Sequence, residues 1–430
     1  MHLSSLLVAV LLPLALSKPT PRKKPGSFTV HLARRSEAEY ARDGPTDLQR
    51  AYAKYGIPST QGMDGYRPEP ISRFQGNSKI AGGAPGAKDD GKDEKGEVEN
   101  NPTSHDIQFL SPVTIGGQPF IMNFDTGSSD TWVMNTDMDD EEAKKDHHLY
   151  DPRKSKTYSK LDGLTFSIKY GDKSHASGPV ITDVMDIGGA TVRKQAIGLP
   201  TKVAASLAND KSSDGLVGLA MNKLNTVRPD KQKTFFENLA EDLDEPVFTA
   251  QLRKGKMGSY EFGAIDKTKY AGDLVNVPVN NKNGFWEISS ALYSVGQLDK
   301  IQKVENGTGT AILDTGTTLL ILDEEVVKAY YAQVKGARYD ASRYAGWVYP
   351  CNASMPSLFL AVGHDHMAII PSSLLTFQNY GPGPDGTDVC YGGLQSNNAG
   401  GIQILGDVFF KALFVVFDYR GPSVSLAPHA

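Results

Sequence analysis

The chain has 430 residues, of which 39% are hydrophobic and 22% are charged, and this is enough apolar sequence for two domain-sized cores. These values exclude a mini-protein, a collagen and a wholly disordered chain. The formal net charge is −5 without any long block of Lys or Arg, so charge gives no indication of nucleic-acid binding. Cysteine occurs only twice, which excludes zinc and iron–sulfur sites built from several cysteines.

The N-terminus has the pattern of a secretory signal. Residues 1–17 contain no Asp, Glu, Lys or Arg, and the apolar run Leu6–Leu16 is too short to span a bilayer. A buried N-terminal helix is the alternative. No later segment is apolar enough to span a membrane, and the C-terminus has no hydrophobic tail for a lipid anchor. We therefore predict a signal peptide over residues 1–17 and a secreted, extracellular product without membrane contacts.

A basic leader follows the signal. Residues 18–100 contain 15 Lys or Arg and 12 Asp or Glu, whereas residues 101–430 contain 30 and 38. Residues 81–103 have few apolar side chains and cannot bury a core, so they are predicted to form an exposed linker. We expect a propeptide and linker over residues 18–100, with the maturation cut between residues 80 and 104.

The body of the chain has the pattern of a β protein. From Ile107 onwards, short β-rich runs such as Phe120–Phe124 and Leu413–Phe417 are separated by Gly, Asn, Asp and Ser turns. Helical periodicity is confined to two short segments, Thr234–Glu241 and Glu324–Val334. The predicted fold class is therefore all-β, with a few short helices.

An internal repeat carries the chemistry. An apolar run leads into Asp125-Thr126-Gly127-Ser128-Ser129, and a second one leads into Asp314-Thr315-Gly316-Thr317-Thr318, 189 residues later. Each motif is followed at nearly the same distance by an apolar pair and a glycine, Leu216-Val217-Gly218 and Ile404-Leu405-Gly406. Two homologous lobes follow from this agreement, an N-terminal lobe over residues 101–275 and a C-terminal lobe over residues 276–430.

Two such lobes, related by a pseudo-two-fold axis, would bring Asp125 and Asp314 face to face. Two neighbouring carboxylates do not both ionise easily, so the pair would hold one proton and titrate as a unit. One member can then take a proton from a bound water while the other gives one to a substrate carbonyl. The glycines at 127 and 316 allow close backbone approach, and four hydroxyls are placed to orient the pair: those of Thr126, Ser128, Thr315 and Thr317. Two turn aspartates that act as local caps are the alternative.

The remaining motifs concern covalent modification and metals. Export would place Cys351 and Cys390 in an oxidising compartment, where we expect them to pair, with two free buried thiols as the alternative. Asn306 and Asn352 stand in glycan acceptor patterns, which unmodified surface loops also contain. Three segments with histidine or acidic residues are interpreted as surface loops rather than metal sites: His147-His148, Asp137–Glu142 and His364-Asp365-His366. No metal and no cofactor is expected.

Over residues 104–430 the sequence resembles the pepsin family of aspartic endopeptidases, and most closely its secreted fungal branch. Besides the two Asp-Thr-Gly motifs, the resemblance rests on Trp132, Tyr170-Gly171-Asp172, Asp214–Ala220, Tyr260–Gly263, Ala329–Val334, Pro350-Cys351 and Ile404–Asp407. The family implies two β-rich lobes around a cleft, with Asp125 and Asp314 as catalytic acid and base. It also implies a flap with Tyr170, Gly171 and Asp172 that closes over the substrate, and a supporting role for Trp132. A monomer that cleaves polypeptides and binds pepstatin-like inhibitors is expected.

The resemblance extends to the leader and has two departures. Lys54-Tyr55-Gly56 is similar to a fungal leader element, which implies that Lys54 pairs with the catalytic carboxylates in an inactive zymogen. A disordered leader that only assists export or folding is the alternative. Lys173 stands where the family usually has Gly, and Leu207 stands where fungal members often have an aromatic residue. Both departures concern the preference for substrate residues, which the sequence leaves open.

Two rival functions stay open beside a secreted acid endopeptidase made as a zymogen. A catalytically silent pepsin-like binding protein typically lacks a catalytic aspartate or the flap tyrosine, and this chain contains Asp125, Asp314 and Tyr170. A glycosidase would also use two carboxylates, but it would not require both in matching Asp-Thr-Gly repeats.

Overall fold

The computed structural model describes residues 28–31, 44–58, 109–169, 175–398 and 401–430. The predicted signal peptide, the predicted linker and the predicted maturation cut lie outside these residues. Strands are the most abundant secondary structure of the described residues, and helices are few, as the sequence predicts. In chain order they are β1 (Phe28–His31), β2 (Leu110–Ile115), β3 (Gln118–Asp125), β4 (Thr131–Val133), β5 (Ser159–Lys169), β6 (His175–Ile187), β7 (Ala190–Gly198), β8 (Lys202–Val203), β9 (Gly215–Gly218), β10 (Val247–Arg253), β11 (Lys256–Phe262), β12 (Val275–Pro278), β13 (Glu287–Ser289), β14 (Leu292–Val295), β15 (Gln302–Lys303), β16 (Thr310–Leu313), β17 (Leu320–Leu322), β18 (Arg338–Asp340), β19 (Gly346–Pro350), β20 (Leu358–Val362), β21 (His366–Ile370), β22 (Thr376–Pro382), β23 (Asp388–Gly392), β24 (Leu394–Ser396), β25 (Gln403–Leu405), β26 (Leu413–Asp418) and β27 (Ser423–Pro428).

The helices of the described residues are short, with one exception in the leader. They are α1 (Gly44–Tyr55), α2 (Glu141–Lys144), α3 (Ala205–Ala208), α4 (Phe235–Ala240), α5 (Glu324–Tyr331) and α6 (Asp407–Phe410). Both helices predicted from periodicity are confirmed, as α4 and α5. A capping box begins α4, in which the Thr234 hydroxyl accepts from the Glu237 N–H at 3.2 Å and the Glu237 carboxylate accepts from the Thr234 N–H at 3.0 Å. None of these helices is long and apolar enough to cross a membrane.

The sequence repeat is also a repeat of topology. In the first half of the body, β3 runs parallel to β9, which in turn pairs antiparallel with β4, so that Asp125 lies opposite Gly218. In the second half, β16 runs parallel to β25, which pairs antiparallel with β17, and Leu313 lies opposite Leu405. Each apolar run therefore ends at the same point of an equivalent three-stranded unit, and each unit delivers one aspartate.

These two units belong to separate sheets, while a third sheet joins the halves. The first unit lies in an eight-stranded sheet with the order β2-β3-β9-β4-β7-β6-β5, to which β8 is added on β6. The second unit lies in a five-stranded sheet with the order β13-β16-β25-β17-β24, beside two four-stranded sheets. A six-stranded sheet, β1-β11-β10-β26-β27-β12, takes strands from both halves and, at its edge, from the leader.

Large aromatic side chains fill the core where the halves meet. Phe248 of β10 stacks on Phe417 of β26 with 4.4 Å between ring centroids, and Trp286 packs edge-on against Phe417 at 5.1 Å. The Trp286 indole N–H donates to the carbonyl oxygen of Leu219 at 3.0 Å, so its polar atom is satisfied although the side chain is buried. The resulting core is continuous between the two halves and fixes their relative position.

The two cysteines form a disulfide in the second half. Cys351 directly follows β19 and Cys390 lies in β23, and these two strands are neighbours in the same sheet. The Cys351 N–H also donates to the carbonyl oxygen of Asp388 at 2.9 Å. The expected pairing is therefore present, and two free thiols are excluded.

Candidate active site

The turn after β3 holds the Asp125 carboxylate with donors from its own half of the chain. Asp125 is the last residue of β3 and is 2% exposed. The Gly127 N–H donates to Asp125 Oδ1 at 2.8 Å, and the Ser128 hydroxyl donates to Oδ2 at 2.6 Å. Each carboxylate oxygen therefore has a fixed donor from the turn that follows the strand.

The second turn repeats this arrangement around Asp314. Asp314 directly follows β16 and is fully buried. The Gly316 N–H donates to Asp314 Oδ1 at 2.9 Å, and the Thr317 hydroxyl donates to Oδ2. The predicted orienting roles of the hydroxyls at 128 and 317 therefore correspond to direct hydrogen bonds in the structure.

The two carboxylates lie against each other's glycine. A β-carbon placed on Gly127 would lie 2.5 Å from Asp314 Oδ1, and one placed on Gly316 would lie 2.4 Å from Asp125 Oδ1. Both distances are far below van der Waals contact, so any side chain at these positions would displace the opposite carboxylate. The glycines of the repeat are thus required by the approach of the two halves.

Threonine side chains join the two turns across the interface. Thr126 Oγ1 donates to the carbonyl oxygen of Leu313 at 2.9 Å, and Thr315 Oγ1 donates to that of Phe124 at 2.8 Å. Each hydroxyl also accepts the backbone N–H of the other threonine, at 3.0 and 3.2 Å. These hydroxyls therefore orient the aspartates indirectly, by holding the backbones of the turns, and do not bond the carboxylates.

Two leader residues fill the space in front of the carboxylates. Lys54 Nζ lies 2.7 Å from Asp125 Oδ1 and 3.0 Å from each oxygen of Asp314. The hydroxyl of Tyr55 donates to Asp314 Oδ2 at 2.7 Å. The sequence resemblance singled out Lys54 for this position but not Tyr55, although Tyr55 belongs to the same Lys-Tyr-Gly element.

Helix α1 presents these two residues because its apolar face packs on the second half of the body. Tyr52 donates its hydroxyl hydrogen to the carbonyl oxygen of Ser396, and the side-chain amide of Asn398 donates to the carbonyl oxygen of Pro58 at 2.5 Å. The apolar cluster under the helix contains Leu48, Ala51, Tyr52 and Ile57 from the leader and Ile312, Leu319, Ile321, Tyr344, Ala345, Val348, Val389, Tyr391 and Ile404 from the body. Residues 44–58 of the leader are thus folded against the body, which contradicts disorder for this part of the leader.

The two carboxyls have opposite pKa shifts. Burial is the largest influence on both and raises each pKa. For Asp125, burial and the neighbouring Asp314 outweigh the Lys54 ammonium, and the pKa is raised to about 6. For Asp314, Lys54 and hydrogen bonds from Asp125, Thr317 and Tyr55 outweigh burial, and the pKa is lowered to about 2. Between these two values the pair, as a unit, holds one proton.

The surroundings of Asp125 are described only in part. Trp132 in β4 is 4% exposed and packs in a cluster with Phe166 and Ile168 of β5, and Leu207 borders the same cluster. The indole N–H of Trp132 has no partner among the described atoms. The predicted flap residues Tyr170, Gly171 and Asp172, together with Lys173, lie outside the described residues. Their predicted roles therefore stay predictions.

The histidines of the two predicted surface loops differ in burial. His147 is buried, and its two ring nitrogens lie 2.9 and 3.0 Å from the carbonyl oxygens of Ser213 and Ala208, so its assignment to the surface was wrong. The sequence pattern missed this because a loop between α2 and β5 folds back on the body. His364 and His366 are exposed. Within the described residues no group of three or more His, Cys, Asp or Glu side chains could hold a metal ion.

Both candidate glycan acceptors are accessible. Asn306 is exposed in the loop between β15 and β16, and Asn352 is exposed in the turn after β19. Accessibility is necessary for modification, and the attachment of glycans stays a prediction.

Sequence comparisons with known proteins find relatives over most of the chain. A model of the eukaryotic aspartyl protease family matches residues 108–429. The chain is 82% identical to a probable aspartic-type endopeptidase of Arthroderma benhamiae over 430 residues, which is the full length of both proteins. It is 50% identical to an aspartic protease of Coccidioides posadasii, with all of this chain and 96% of the relative covered. It is 42% identical to penicillopepsin-1 of Penicillium janthinellum over 336 residues, which cover 78% of this chain and 99% of the relative.

Proposed function

We propose, from the premise that this chain belongs to the eukaryotic aspartyl protease family and is an aspartic endopeptidase acting on polypeptides, that Asp125 and Asp314 are its catalytic pair. The observation that carries the proposal is the apposition of two buried carboxylates, each bonded by a glycine N–H and a hydroxyl of its own turn.

The pair would act on a water molecule bound between the carboxylates. One carboxylate takes a proton from the water, the resulting nucleophile attacks the peptide carbonyl carbon, and the protonated partner gives its proton to the carbonyl oxygen, which forms a tetrahedral adduct. The adduct then collapses: the C–N bond breaks, the nitrogen takes the proton that the first carboxylate removed from water, and an adduct hydroxyl returns a proton to the partner as the new carboxyl group forms.

The opposite pKa shifts of Asp125 and Asp314 belong to the state with the leader in place. After its release, repulsion between two apposed buried carboxylates still favours the state with one shared proton, which this chemistry needs. We infer that the enzyme works at acidic pH, where that state is populated.

The hairpin of β5 and β6 would border the substrate. Its strands pair from Ser159 to Lys169 on one side and from His175 to Thr182 on the other, and the predicted flap residues Tyr170, Gly171 and Asp172 stand between the two strands in the sequence. Trp132 packs in one cluster with Phe166 and Ile168, which lie near the C-terminal end of β5. A flap at this position would exclude water and hold an extended peptide over the carboxylates. Substrate preferences at Lys173 and Leu207 are left open.

The chain would be made as a zymogen with Lys54 as the inhibitory residue. Lys54 is 11% exposed and contacts both carboxylates, and Tyr55 contacts one, so the leader occupies the space that a substrate and its water need. The leader is basic and the body acidic, which adds a long-range attraction between them. In this proposal the leader is the enzyme's own inhibitory partner until a cut between residues 80 and 104 releases it.

Acid would loosen this complex. Lys54 lowers the pKa of both carboxyls, so by linkage the leader binds most tightly where both are ionised. As the pH falls through about 6, Asp125 takes up a proton and the attraction for Lys54 weakens. Together with the signal-like residues 1–17, this supports a secreted, extracellular enzyme that is activated by acid. We further propose that it is a monomer and that it carries glycans at the exposed residues Asn306 and Asn352.

The decisive experiment is hydrolysis of an unfolded protein between about pH 2 and pH 7, with and without pepstatin. The acid-treated full chain is compared with Asp125→Asn and Asp314→Asn. We expect pepstatin-sensitive hydrolysis at acidic pH by the parent and none by either variant. Activity that survived either substitution would contradict the catalytic pair, and a wholly inactive parent would favour a silent binding protein.

A further inference from the structure

One buried carboxylate beside Asp125 has no part in the mechanism above. Asp130 closes the Asp-Thr-Gly-Ser-Ser turn directly before β4 and is 4% exposed. Its Oδ1 accepts the Thr226 N–H at 3.1 Å, the Thr226 hydroxyl at 3.0 Å and the Asn225 side-chain amide at 3.2 Å. Its Oδ2 shares the Thr226 N–H at 3.1 Å. Three donors from one loop therefore converge on this carboxylate.

The same loop is bonded to β5 near the C-terminal end of that strand, where it pairs with the beginning of β6. The hydroxyl oxygen of Thr226 accepts the Ser167 N–H of β5 at 3.3 Å. The Arg228 N–H donates to the carbonyl oxygen of Thr165 at 2.9 Å, and the Thr165 N–H donates back to that of Arg228 at 3.0 Å. A hydroxyl can donate one bond and accept another, so the Thr226 side chain connects Asp130 to β5 directly.

The turn at the other end of this connection has little freedom to shift. A β-carbon on Gly218 would lie 2.6 Å from the carbonyl carbon of Ser129, and the Gly218 N–H donates to the Asp130 carbonyl oxygen at 3.0 Å. The Ser129 hydroxyl donates to the carbonyl oxygen of Met221 at 2.5 Å. Close packing on this side means that the position of Thr226 is set relative to the turn that holds Asp125.

We propose that Asp130 is a positioning residue for peptide hydrolysis, which through Thr226 fixes the spacing between strand β5 and the Asp125 turn. The proposal rests on the proposed function, in which the β5–β6 hairpin borders the substrate. Asp130 touches neither substrate nor water, and its effect is on where β5 holds the peptide relative to Asp125. Burial raises the pKa of Asp130 to about 6 against the opposing bonds from Thr226, and its Oδ1 can accept those bonds whether or not Oδ2 is protonated.

The main test compares Thr226→Val with Thr226→Ser in the acid-activated full chain. Valine has nearly the shape of threonine but lacks the hydroxyl, whereas serine keeps it. Active sites are counted by pepstatin titration, and KM and kcat are measured separately for a peptide substrate. For Thr226→Val we expect KM to rise about tenfold with kcat per active site within about twofold of the parent, because substrate is held less well over an intact catalytic pair. Thr226→Ser should restore KM to within about twofold.

A matched control removes the same kind of contact elsewhere. The Thr268 N–H and hydroxyl both donate to Asp266 Oδ1, at 2.8 and 2.7 Å, on the exposed surface between β11 and β12. Thr268→Val should leave KM and kcat unchanged. Asp130→Ala should raise KM as Thr226→Val does. The double variant Asp130→Ala with Thr226→Val should have a KM no higher than that of the more impaired single variant, since both changes break the same connection.

Specific outcomes overturn the proposal. It fails if Thr226→Val and Thr226→Ser have equal KM. It also fails if Thr226→Val has the same kcat/KM per active site as the parent, because a merely structural role would only reduce the number of active sites. If Asp130→Ala does not fold, the comparison of the two Thr226 variants still decides. A failure of the proposed catalytic pair is seen separately, in Asp125→Asn and Asp314→Asn, where Thr226 is intact.

Discussion

The two Asp-Thr-Gly turns are nearly identical in their internal bonds and different in what the leader adds to them. In each turn a glycine N–H bonds one carboxylate oxygen and a hydroxyl bonds the other. Only Asp314 receives a further bond from Tyr55, and only Asp314 has both oxygens within 3.0 Å of Lys54 Nζ. The pKa is raised at Asp125 and lowered at Asp314. A symmetric scaffold thus acquires unequal carboxyls from a segment outside the repeat.

The largest expected effect tests whether the two turns are equal partners in catalysis. Asp125→Asn and Asp314→Asn should each reduce kcat/KM by about 10³-fold or more, because the acid and the base act as a unit. The double variant should be no less active than the single variants. Steady-state kinetics at acidic pH measures all three, and urea unfolding confirms that each variant folds. If the two single variants lost unequal amounts of kcat/KM, and the double variant lost the product of the two factors, a single catalytic unit would be contradicted.

The second prediction concerns the Lys54 ammonium, which contacts both carboxylates. Lys54→Met should speed release of the leader about 100-fold at a fixed mildly acidic pH, because the methionine leaves a buried anionic pair without its cation. Appearance of the shortened chain on a gel gives the rate. Arg50→Met is the control, since it removes a cation from the same helix that lies near Asp47 and not near the carboxylates. Equal rates for the two variants would show that overall charge, and not the contact at residue 54, holds the leader.

A third prediction removes the contact that only Asp314 has. Tyr55→Phe keeps the ring, which packs 5.8 Å from that of Phe285, and loses the hydroxyl bond. The loss of a bond to a charged group should weaken the leader by about 1.5 kcal/mol and speed its release about tenfold. Because this bond lowers the pKa of Asp314, its removal raises that pKa, and release should begin at higher pH than in the parent. An unchanged pH of release would contradict the assigned role of Tyr55.

The smallest expected effect tests the symmetry of the scaffold itself. Thr126→Val and Thr315→Val each remove a hydroxyl that bonds the opposite half, and each should lower the free energy of unfolding by about 1 kcal/mol. The double variant should lose less than the sum, because each hydroxyl also accepts the other threonine's N–H. Urea unfolding of the body measures these losses. Clearly unequal single losses would show that the cross-bonded scaffold is not symmetric.

Much of the candidate site could be predicted from the sequence because it depends on a repeat. Two apolar runs that end in Asp-Thr-Gly indicate two equivalent strand ends, and a pseudo-two-fold axis brings such ends together. The helices α4 and α5 were found because their apolar residues recur with helical spacing. The pairing of Cys351 with Cys390 followed from the expected compartment.

The parts that the sequence did not predict depend on contacts between distant segments. Helix α1 went unrecognised because its strongest signal is the buried surface it shares with Tyr344 and Tyr391, which are far away in sequence. The same holds for Thr126 and Thr315, whose partners are backbone atoms of the opposite turn. His147 was assigned to the surface because nothing in its neighbourhood of charged residues shows that the loop returns to the body.

The reciprocal position of the two glycines has a consequence for how such a duplicated chain can diverge. Gly127 limits the space of the carboxylate at 314, and Gly316 limits that of the carboxylate at 125. A substitution at either glycine therefore displaces the aspartate of the other copy. The sequences of the two copies can diverge in loops and surface strands without affecting each other. At these positions, however, a substitution in one copy alters the catalytic turn of the other copy. Mutations in the two turns should accordingly show strong epistasis, although 189 residues separate them along the chain.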